Sequence, residues 1–263
     1  MKNQFVRKRV NILNTEIDNL SMTELLENLE FGMVFTPNVD HIIKLREDRE
    51  FRAAYNSATY VVCDGQILLY SSWFLGTPLT EKISGSDFFP AFYNYHKQNE
   101  EIKIFLLGAG AGVAQKAQTK INQKVGREIV VGAYSPSYGF EKNESECWQI
   151  IEIIQSSGAT VLAIGVGAPK QEKWIYKYRE KLTNIKIFLA IGGTLDFEAG
   201  NLRRSPRWMS NVGLEWLFRL ILEPRRLWKR YLVDDLPFFW LILKQKLENL
   251  QSCSKDGQGY KIN

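Results

Sequence analysis

Residues 103–113 read KIFLLGAGAGV: an apolar run, then glycines alternating with alanines. The run from 103 to 108 predicts a buried strand, and the residues from 111 onward are typical of a helix. The small residues between them let the backbone approach a phosphate closely. The stretch therefore predicts a strand, a tight turn and a helix, the repeating unit of an α/β protein.

The same alternation extends through most of the chain. Five further apolar runs predict strands at 32–36, 59–63, 128–133, 159–165 and 186–193. Helix-like segments lie near 43–57, 65–74, 86–98, 111–124, 144–157 and 169–181. Strands that alternate with helices predict a parallel sheet with helices on both faces. Such sheets bind ligands beyond the carboxyl ends of their strands.

Composition limits the kind of protein. With 263 residues, 45% hydrophobic and 24% charged, the chain suits one large domain, or a domain with an appendage. Its three cysteines are widely spaced, which favours a reducing compartment over a disulfide framework. Its two histidines are too few for a histidine-rich metal site. We expect no signal peptide, and no apolar stretch reaches the roughly 20 residues of a membrane span.

The last quarter of the chain has a different character. Residues 203–230 contain eight basic and two acidic side chains, and four of the seven tryptophans follow residue 204. We therefore predict a core over residues 1–204 and a basic, aromatic helical appendage over residues 205–263. This clustering predicts contact with an anionic surface such as a membrane. The alternative is an ordinary amphipathic helix packed on the core, or an oligomer interface.

Polar residues gather where the predicted strands end. Thr36 and Asn38 follow the first strand, Asp64 the second, and Gln171 opens a helix after the fifth. Each has a structural alternative: Asn38 can cap a helix, and Asp64 before Gly65 is a common turn pair. For Gln171, the functional interpretation is a hydrogen-bond donor that points into a cleft.

Two motifs resemble ligand sites only in part. Gly108 and Gly110 begin a dinucleotide fingerprint, but Val113 occupies the place of its third glycine, so nucleotide contact and tight packing both stay open. Asp196 and Glu198 resemble the metal-binding acidic pair of many glycosyltransferases. No second carboxylate cluster supports them, so we predict no metal site and no cofactor.

Eight stretches occur in a fixed order: TPNVDH, DG at 64–65, GSDFF after a basic residue, LLGAGAGV, GAPKQEKW, GGTLDFEAG, RSPRWM and GLEWLFRLILEPRRLWKRY. Together they resemble the WecG/TagA/CpsF family, glycosyltransferase family 26, over nearly the whole chain. The resemblance implies a Rossmann-like core and a cytoplasmic enzyme, peripheral on the inner face of the cell membrane. The implied reaction moves N-acetylmannosamine or a related hexose, with inversion, from a UDP-sugar to a polyprenyl-diphosphate-linked sugar, for teichoic acid or other cell-surface polysaccharides.

The resemblance also assigns roles to residues. Asp64 matches the family's proposed catalytic base, which takes the proton of the acceptor hydroxyl as that hydroxyl attacks the anomeric carbon. Lys82 stands where the family usually has arginine, so the charge is kept but the bidentate fork is lost. The other candidate substrate-binding residues are Thr36, Asn38, Gly108, Gly110, Gln171, Asp196 and, in the appendage, Arg219, Arg226 and Lys229.

Two other classes of protein stay open. A nicotinamide dehydrogenase would use the GAGAG turn, but it needs an acidic ribose-binding residue about 20 positions later. Residues 132–134 read Gly-Ala-Tyr instead. A non-catalytic protein that binds membrane or nucleic acid through the appendage would not need polar residues at several strand ends. We therefore favour the transferase, with a UDP-sugar, a lipid-linked sugar and the membrane as partners, without nucleic acid; homo-oligomerisation stays open.

Overall fold

The computed structural model describes residues 7–256, except for the side chains at 207, 211, 226 and 252–256. Its centre is a parallel sheet of six strands in the order β4-β3-β8-β7-β5-β6. The strands are β3 (Gly32–Phe35), β4 (Tyr60–Val61), β5 (Ile104–Gly108), β6 (Val130–Tyr134), β7 (Val161–Gly165) and β8 (Ile187–Ala190). Each lies within a predicted run or overlaps it, so the α/β prediction is confirmed.

The sheet has a hydrophobic core on each face. All residues of β5 and β7 are buried, as expected for strands covered on both sides. Alternate residues of β5 enter opposite cores, with Phe105 and Leu107 in one and Ile104 and Leu106 in the other. This arrangement confirms the Rossmann-like layering of helices on both faces.

Helices connect the strands and cover the faces. They are α1 (Met22–Asn28), α2 (Val39–Glu47), α3 (Arg49–Asn56), α4 (Gln66–Leu75), α5 (Gly85–Tyr95), α6 (Val113–Val125), α7 (Glu144–Ser156), α8 (Lys170–Tyr178) and α9 (Thr194–Glu198). The single helix expected over 43–57 is two helices, because Asp48 ends α2 and caps α3 through the backbone N–H of Phe51. An antiparallel hairpin, β1 (Arg9–Ile12) and β2 (Thr15–Asp18), precedes the core.

The described residues from 207 to 256 contain four α-helices. These are α10 (Arg207–Asn211), α11 (Glu215–Leu222), α12 (Pro224–Lys229) and α13 (Pro237–Asp256), with a π-helical turn at Arg230–Asp234. Phe238 and Ile242 of α13 are buried in one of the two cores, and Gln245 hydrogen-bonds the backbone of the β1–β2 hairpin. The last helix is therefore anchored on the core. Within residues 7–256, no helix has the length and apolar character needed to cross a bilayer.

Candidate active site

A cleft with two chambers lies beyond the carboxyl ends of β4, β3, β8 and β7. The loop chamber, about 340 Å³, is bounded by the turns after β3, β7 and β8, and includes Thr36, Gly167, Gln171, Gly192 and Thr194. The tail chamber, also about 340 Å³, lies between α4 and the final helices, and includes Ile67, Lys82, Glu215, Trp216, Leu232, Leu236 and Phe239. Among the described residues, five line both chambers: Asn38, Asp40, Asp64, Arg219 and Arg230.

Asp64 lies at this boundary because of its backbone. Its N–H donates to the carbonyl of Pro37 at 2.8 Å, which ties the end of β4 to the turn after β3. Gly65 then starts α4 at φ 114°, a conformation that favours glycine. Burial raises the pKa of Asp64 from 3.8 to about 7; Arg219 and Lys82 oppose this shift and Glu215 adds to it. A carboxyl group with a pKa near neutrality is suited to general-base chemistry.

Asn38 combines the two roles that the sequence left open. It is the N-cap of α2, where its Oδ1 accepts from the backbone N–H of His41. The same oxygen accepts from Arg230 Nη2 at 3.1 Å, and that guanidinium lies 3.6 Å from Asp40 Oδ2. The N-terminus of α2 thus fixes a cation from the end of the chain at the boundary of the chambers.

A second group of charges lines the tail chamber. Lys82 Nζ donates to Ser210 Oγ at 3.0 Å, and Ser210 Oγ donates to Glu215 Oε2 at 3.2 Å. Glu215 Oε1 accepts from Arg219 Nη2, one helical turn later. The guanidinium of Arg219 also lies 5.8 Å from the ring centre of Phe197, which α9 contributes. Two predicted cations, Lys82 and Arg219, therefore lie close to Asp64.

Gln171 is nearly fully buried at the floor of the loop chamber. Its Nε2 donates to Glu172 Oε1 at 2.8 Å, and its Oε1 accepts from the backbone N–H of Gly192 at 3.1 Å. Gln171 therefore links α8 to the turn after β8. Glu172 lies in the first turn of α8 with its carboxyl group buried against Gln171, and burial raises its pKa to about 7.

The two histidines offer no base in the cleft. His41 lines the loop chamber, but its ring is buried and its Nδ1 lies 2.6 Å from Tyr55 Oη. Burial lowers the pKa of His41 to about 3, so the imidazole is neutral at physiological pH. His96 lies elsewhere: it follows the last residue of α5, and its ring packs beside Phe92 of that helix.

Packing of the strand ends explains the first glycine of the GAGAG turn. Gly108 of β5 pairs with Gly165 of β7, and a Cβ at Gly108 would lie 2.5 Å from the Gly165 carbonyl oxygen. A Cβ at Gly165 would in turn lie 2.6 Å from the carbonyl oxygen of Gly192. This packing favours the structural interpretation of Gly108 and removes the support for a dehydrogenase.

The remaining candidates lie away from the cleft or outside its described part. Within that part, neither chamber is lined by Gly108, Gly110, Asp196 or Lys229. Lys229 is exposed, and the side chain of Arg226 lies outside the described residues. Glu198 accepts a hydrogen bond from Tyr93 Oη, on the side of α5. No group of three His, Cys, Asp or Glu side chains in the described residues is arranged to hold a metal ion.

Two residues of the cleft were not among the candidate site residues: Arg230 at the boundary and Glu215 in the tail chamber. Arg230, rather than its neighbour Lys229, reaches Asn38, because successive residues of a helix point in different directions and Arg230 is on the side that faces α2. Glu215 carries a weak signal, since it precedes Arg219 by four residues on one helix. The contact of Glu215 with Ser210 has no local sequence signal.

Comparison with known proteins decides the family. The model of the glycosyl transferase WecG/TagA/CpsF family matches residues 10–252, which is most of the chain. This chain belongs to that glycosyltransferase family. The resemblance expected from the motifs, from TPNVDH to GLEWLFRL, is thereby confirmed, and the protein is a glycosyltransferase.

Curated relatives of the transferase are similar over most of their length. One, from Bacillus subtilis strain 168, is 26% identical over 246 residues, covering 90% of this chain and 92% of the relative. Another, from Staphylococcus aureus strain MRSA252, is 26% identical over 231 residues, covering 84% and 86%. Both are named N-acetylglucosaminyldiphosphoundecaprenol N-acetyl-beta-D-mannosaminyltransferase.

Proposed function

We propose that this transferase moves N-acetylmannosamine or a related hexose, with inversion, from a UDP-sugar to a polyprenyl-diphosphate-linked sugar at the membrane. The observation that carries the proposal is the position of Asp64 between two chambers of different chemistry. The names of the relatives supply the acceptor class, a diphosphoundecaprenol-linked N-acetylglucosamine, and the mannosaminyl group.

The loop chamber suits the nucleotide sugar. Its walls are turns with glycines at 167, 192 and 193, where backbone groups are accessible to a ligand. Thr36 adds a hydroxyl group that is nearly fully buried, while Lys44 and Arg203 add positive charge. Hydroxyl and amide groups hold sugars, and cations hold a diphosphate. The donor therefore enters with its anomeric carbon toward Asp64.

The tail chamber suits the lipid-linked acceptor. Leu232, Leu236 and Phe239 line it and are also exposed at its mouth. Lys82 and Arg219 lie deeper, beside Asp64. This order of groups, apolar outside and cationic inside, matches an acceptor with a prenyl chain followed by a diphosphate and then a sugar.

The reaction follows from the boundary between the chambers. The Asp64 carboxylate removes the proton of the acceptor hydroxyl as the oxygen forms a bond to the anomeric carbon. The bond from that carbon to the UDP oxygen breaks, and the electron pair leaves with UDP. A single displacement inverts the anomeric centre. Arg219 and Arg230, which line both chambers, stabilise the negative charge that develops on the diphosphate.

The bilayer is the proposed partner of a broad apolar surface on the final helices. Its exposed large side chains include Trp208, Ile221, Leu222, Trp228, Leu232, Val233, Leu236, Phe239, Trp240, Leu243, Leu247 and Leu250. The surface extends onto the core through Tyr70, Trp73 and Phe74 of α4, and Lys246 lies 5.7 Å from the Phe74 ring centre. Soluble monomers rarely expose apolar area on this scale. Lipid is a suitable partner because aromatic and basic side chains are interleaved there.

The test is a panel of UDP-sugars with a short-chain prenyl-diphosphate N-acetylglucosamine acceptor, with the product identified by mass spectrometry. Asp64→Asn should reduce kcat at least about 100-fold while the affinity for UDP stays within about twofold. Leu236→Glu should raise the KM of the lipid acceptor more than that of the donor, and Thr36→Val should do the opposite. Near-normal turnover by Asp64→Asn would return Asp64 to a turn residue.

A further inference from the structure

Glu215 forms a bridge between the core and the final helices. Lys82 belongs to the loop between α4 and α5. Ser210 belongs to α10, and Glu215 and Arg219 belong to α11. One carboxylate oxygen of Glu215 accepts from Arg219, and the other accepts from Ser210 and lies 3.9 Å from Lys82 Nζ. Two of the three cations that line the tail chamber, Lys82 and Arg219, therefore share one counter-ion, whereas the third, Arg230, lies beside Asp40.

The plain interpretation is an ordinary salt bridge between residues four apart on a helix. Such pairs stabilise a helix by about 0.3–0.5 kcal/mol and have no further role. Two observations go beyond it. The second oxygen of Glu215 reaches the core through Ser210, and the pair lines a cleft instead of facing bulk solvent. The side chains of Glu215 and Lys82 are 29% and 16% exposed, so their charges are partly shielded from water, whereas that of Arg219 is 41% exposed.

The two cations lie close enough together for one anionic group to reach both. A carboxylate spans Lys82 and Arg219 with its two oxygens, as the oxygens of a diphosphate would. Glu215 and a diphosphate carry the same sign of charge, so they cannot occupy these cations together without repulsion. One of them has to leave when the other binds.

We propose that Glu215 is an exchangeable counter-ion: it holds Lys82 and Arg219 in place in the empty cleft, and the diphosphate of the lipid acceptor displaces it. This inference rests on the proposed function, since it takes the acceptor to be a diphosphate. The acceptor is assigned instead of UDP because Glu215 and Lys82 line only the tail chamber. Glu215 is thus a positioning residue that acts through its two cations.

The exchange predicts a gain of affinity when the counter-ion is removed, an effect that damage to the fold does not produce. In Glu215→Gln the amide retains hydrogen-bonding capacity but no longer competes as an anion. The full-length variant should bind inorganic pyrophosphate about two- to fivefold more tightly, the range that an ion pair of this exposure allows. Glu248→Gln is the matched control, since it removes the same charge from α13, where Glu248 pairs with Lys244.

The experiment is isothermal titration at fixed ionic strength, with pyrophosphate, UDP and the short-chain prenyl-diphosphate sugar as separate ligands. Tighter binding of pyrophosphate and acceptor by Glu215→Gln, no gain in Glu248→Gln, and loss of the gain in an Arg219→Gln background support the proposal. Should Glu215→Gln unfold early on heating, Ser210→Ala, which cuts the link to Lys82 without a change of charge, should shift the affinity in the same direction.

Three results would overturn the proposal. If folded Glu215→Gln binds pyrophosphate no more tightly than the wild-type protein does, the pair is a plain helix salt bridge. The transferase assignment then still stands, provided that the wild-type protein transfers the sugar. A gain confined to UDP overturns the assignment to the acceptor. If the wild-type protein binds none of the three ligands and transfers no sugar, the inference and the proposed function fail together.

Discussion

The pH dependence of turnover tests the proposed base directly. Burial raises the pKa of Asp64 from 3.8 to about 7. A base acts in its deprotonated form, so kcat/KM should rise with pH and level off above the pKa. About one tenth of Asp64 is ionised at pH 6 and about nine tenths at pH 8, a tenfold change. A carboxyl group with an ordinary pKa would give no measurable change over the same range.

The assay is initial velocity with the short-chain acceptor between pH 5.5 and 9, with kcat/KM plotted against pH. Glu172, whose pKa burial also raises to about 7, is the alternative source of an acidic limb. The profile of Glu172→Gln should therefore still show the rise of kcat/KM with pH. In Glu215→Gln this rise should occur at lower pH, because Glu215 raises the pKa of Asp64. A flat profile from pH 5.5 to 8, or a limb that disappears only in Glu172→Gln, would refute the assignment to Asp64.

The same shift makes a prediction for stability. A carboxyl group with a raised folded-state pKa stabilises the fold below its unfolded-state pKa, and this contribution is lost as pH rises through about 7. The loss for Asp64 is on the order of 4 kcal/mol, from 1.36 kcal/mol for each pKa unit. Asp64→Asn should thus gain free energy of unfolding relative to wild type between pH 4 and pH 8 in urea titrations. Parallel curves for the two proteins would contradict the shift.

Three further outcomes are expected. Arg230→Gln should lower kcat on the order of 100-fold because it removes a charge at the boundary of the chambers, whereas exposed Lys229→Gln should stay within about threefold of wild type; equal effects in steady-state assays would contradict the role of Arg230 at the boundary. Trp240→Glu should weaken flotation with anionic liposomes at least about tenfold, while Phe31→Glu, of similar exposure, should leave it unchanged. Turnover should survive EDTA, because side-chain cations are proposed to stabilise the leaving group; loss with EDTA and rescue by Mg²⁺ would refute this.

The sheet was predictable because its signal is local. Each strand is a short apolar run bounded by glycine or polar residues, and such runs need no knowledge of the partner strand. The polar residues Thr36, Asn38 and Asp64 were found by one geometric rule, that parallel strands present their carboxyl ends at one edge. The same rule also selected Gly108, which packing of β5 against β7 explains better. Sequence gives the end of a strand, but not whether a neighbouring strand fills the space above it.

The residues from the end of the chain were less predictable because their positions depend on tertiary contacts. Lys229 and Arg230 are adjacent basic residues, and only the packing of this segment against α2 decides which of them faces the cleft. The β1–β2 hairpin was not predicted because its strands have only four residues each and contain no continuous apolar run. The boundary near residue 205 stays a prediction, and burial of Phe238 and Ile242 means that the last helix is part of the core's packing.

Helix α13 connects the chemistry to the proposed bilayer. Phe238 and Ile242, four residues apart, lie on the face that packs in the core, while Trp240, Leu243 and Leu247 are exposed on the remainder. A helix that is apolar on both faces needs a partner on each. One partner is the core, where α13 packs against α2 and α4, and the proposed other is lipid. The buried contacts would then hold the tail chamber at a fixed height above the membrane, so that the sugar of a lipid-linked acceptor reaches the proposed base while its prenyl chain stays in the bilayer.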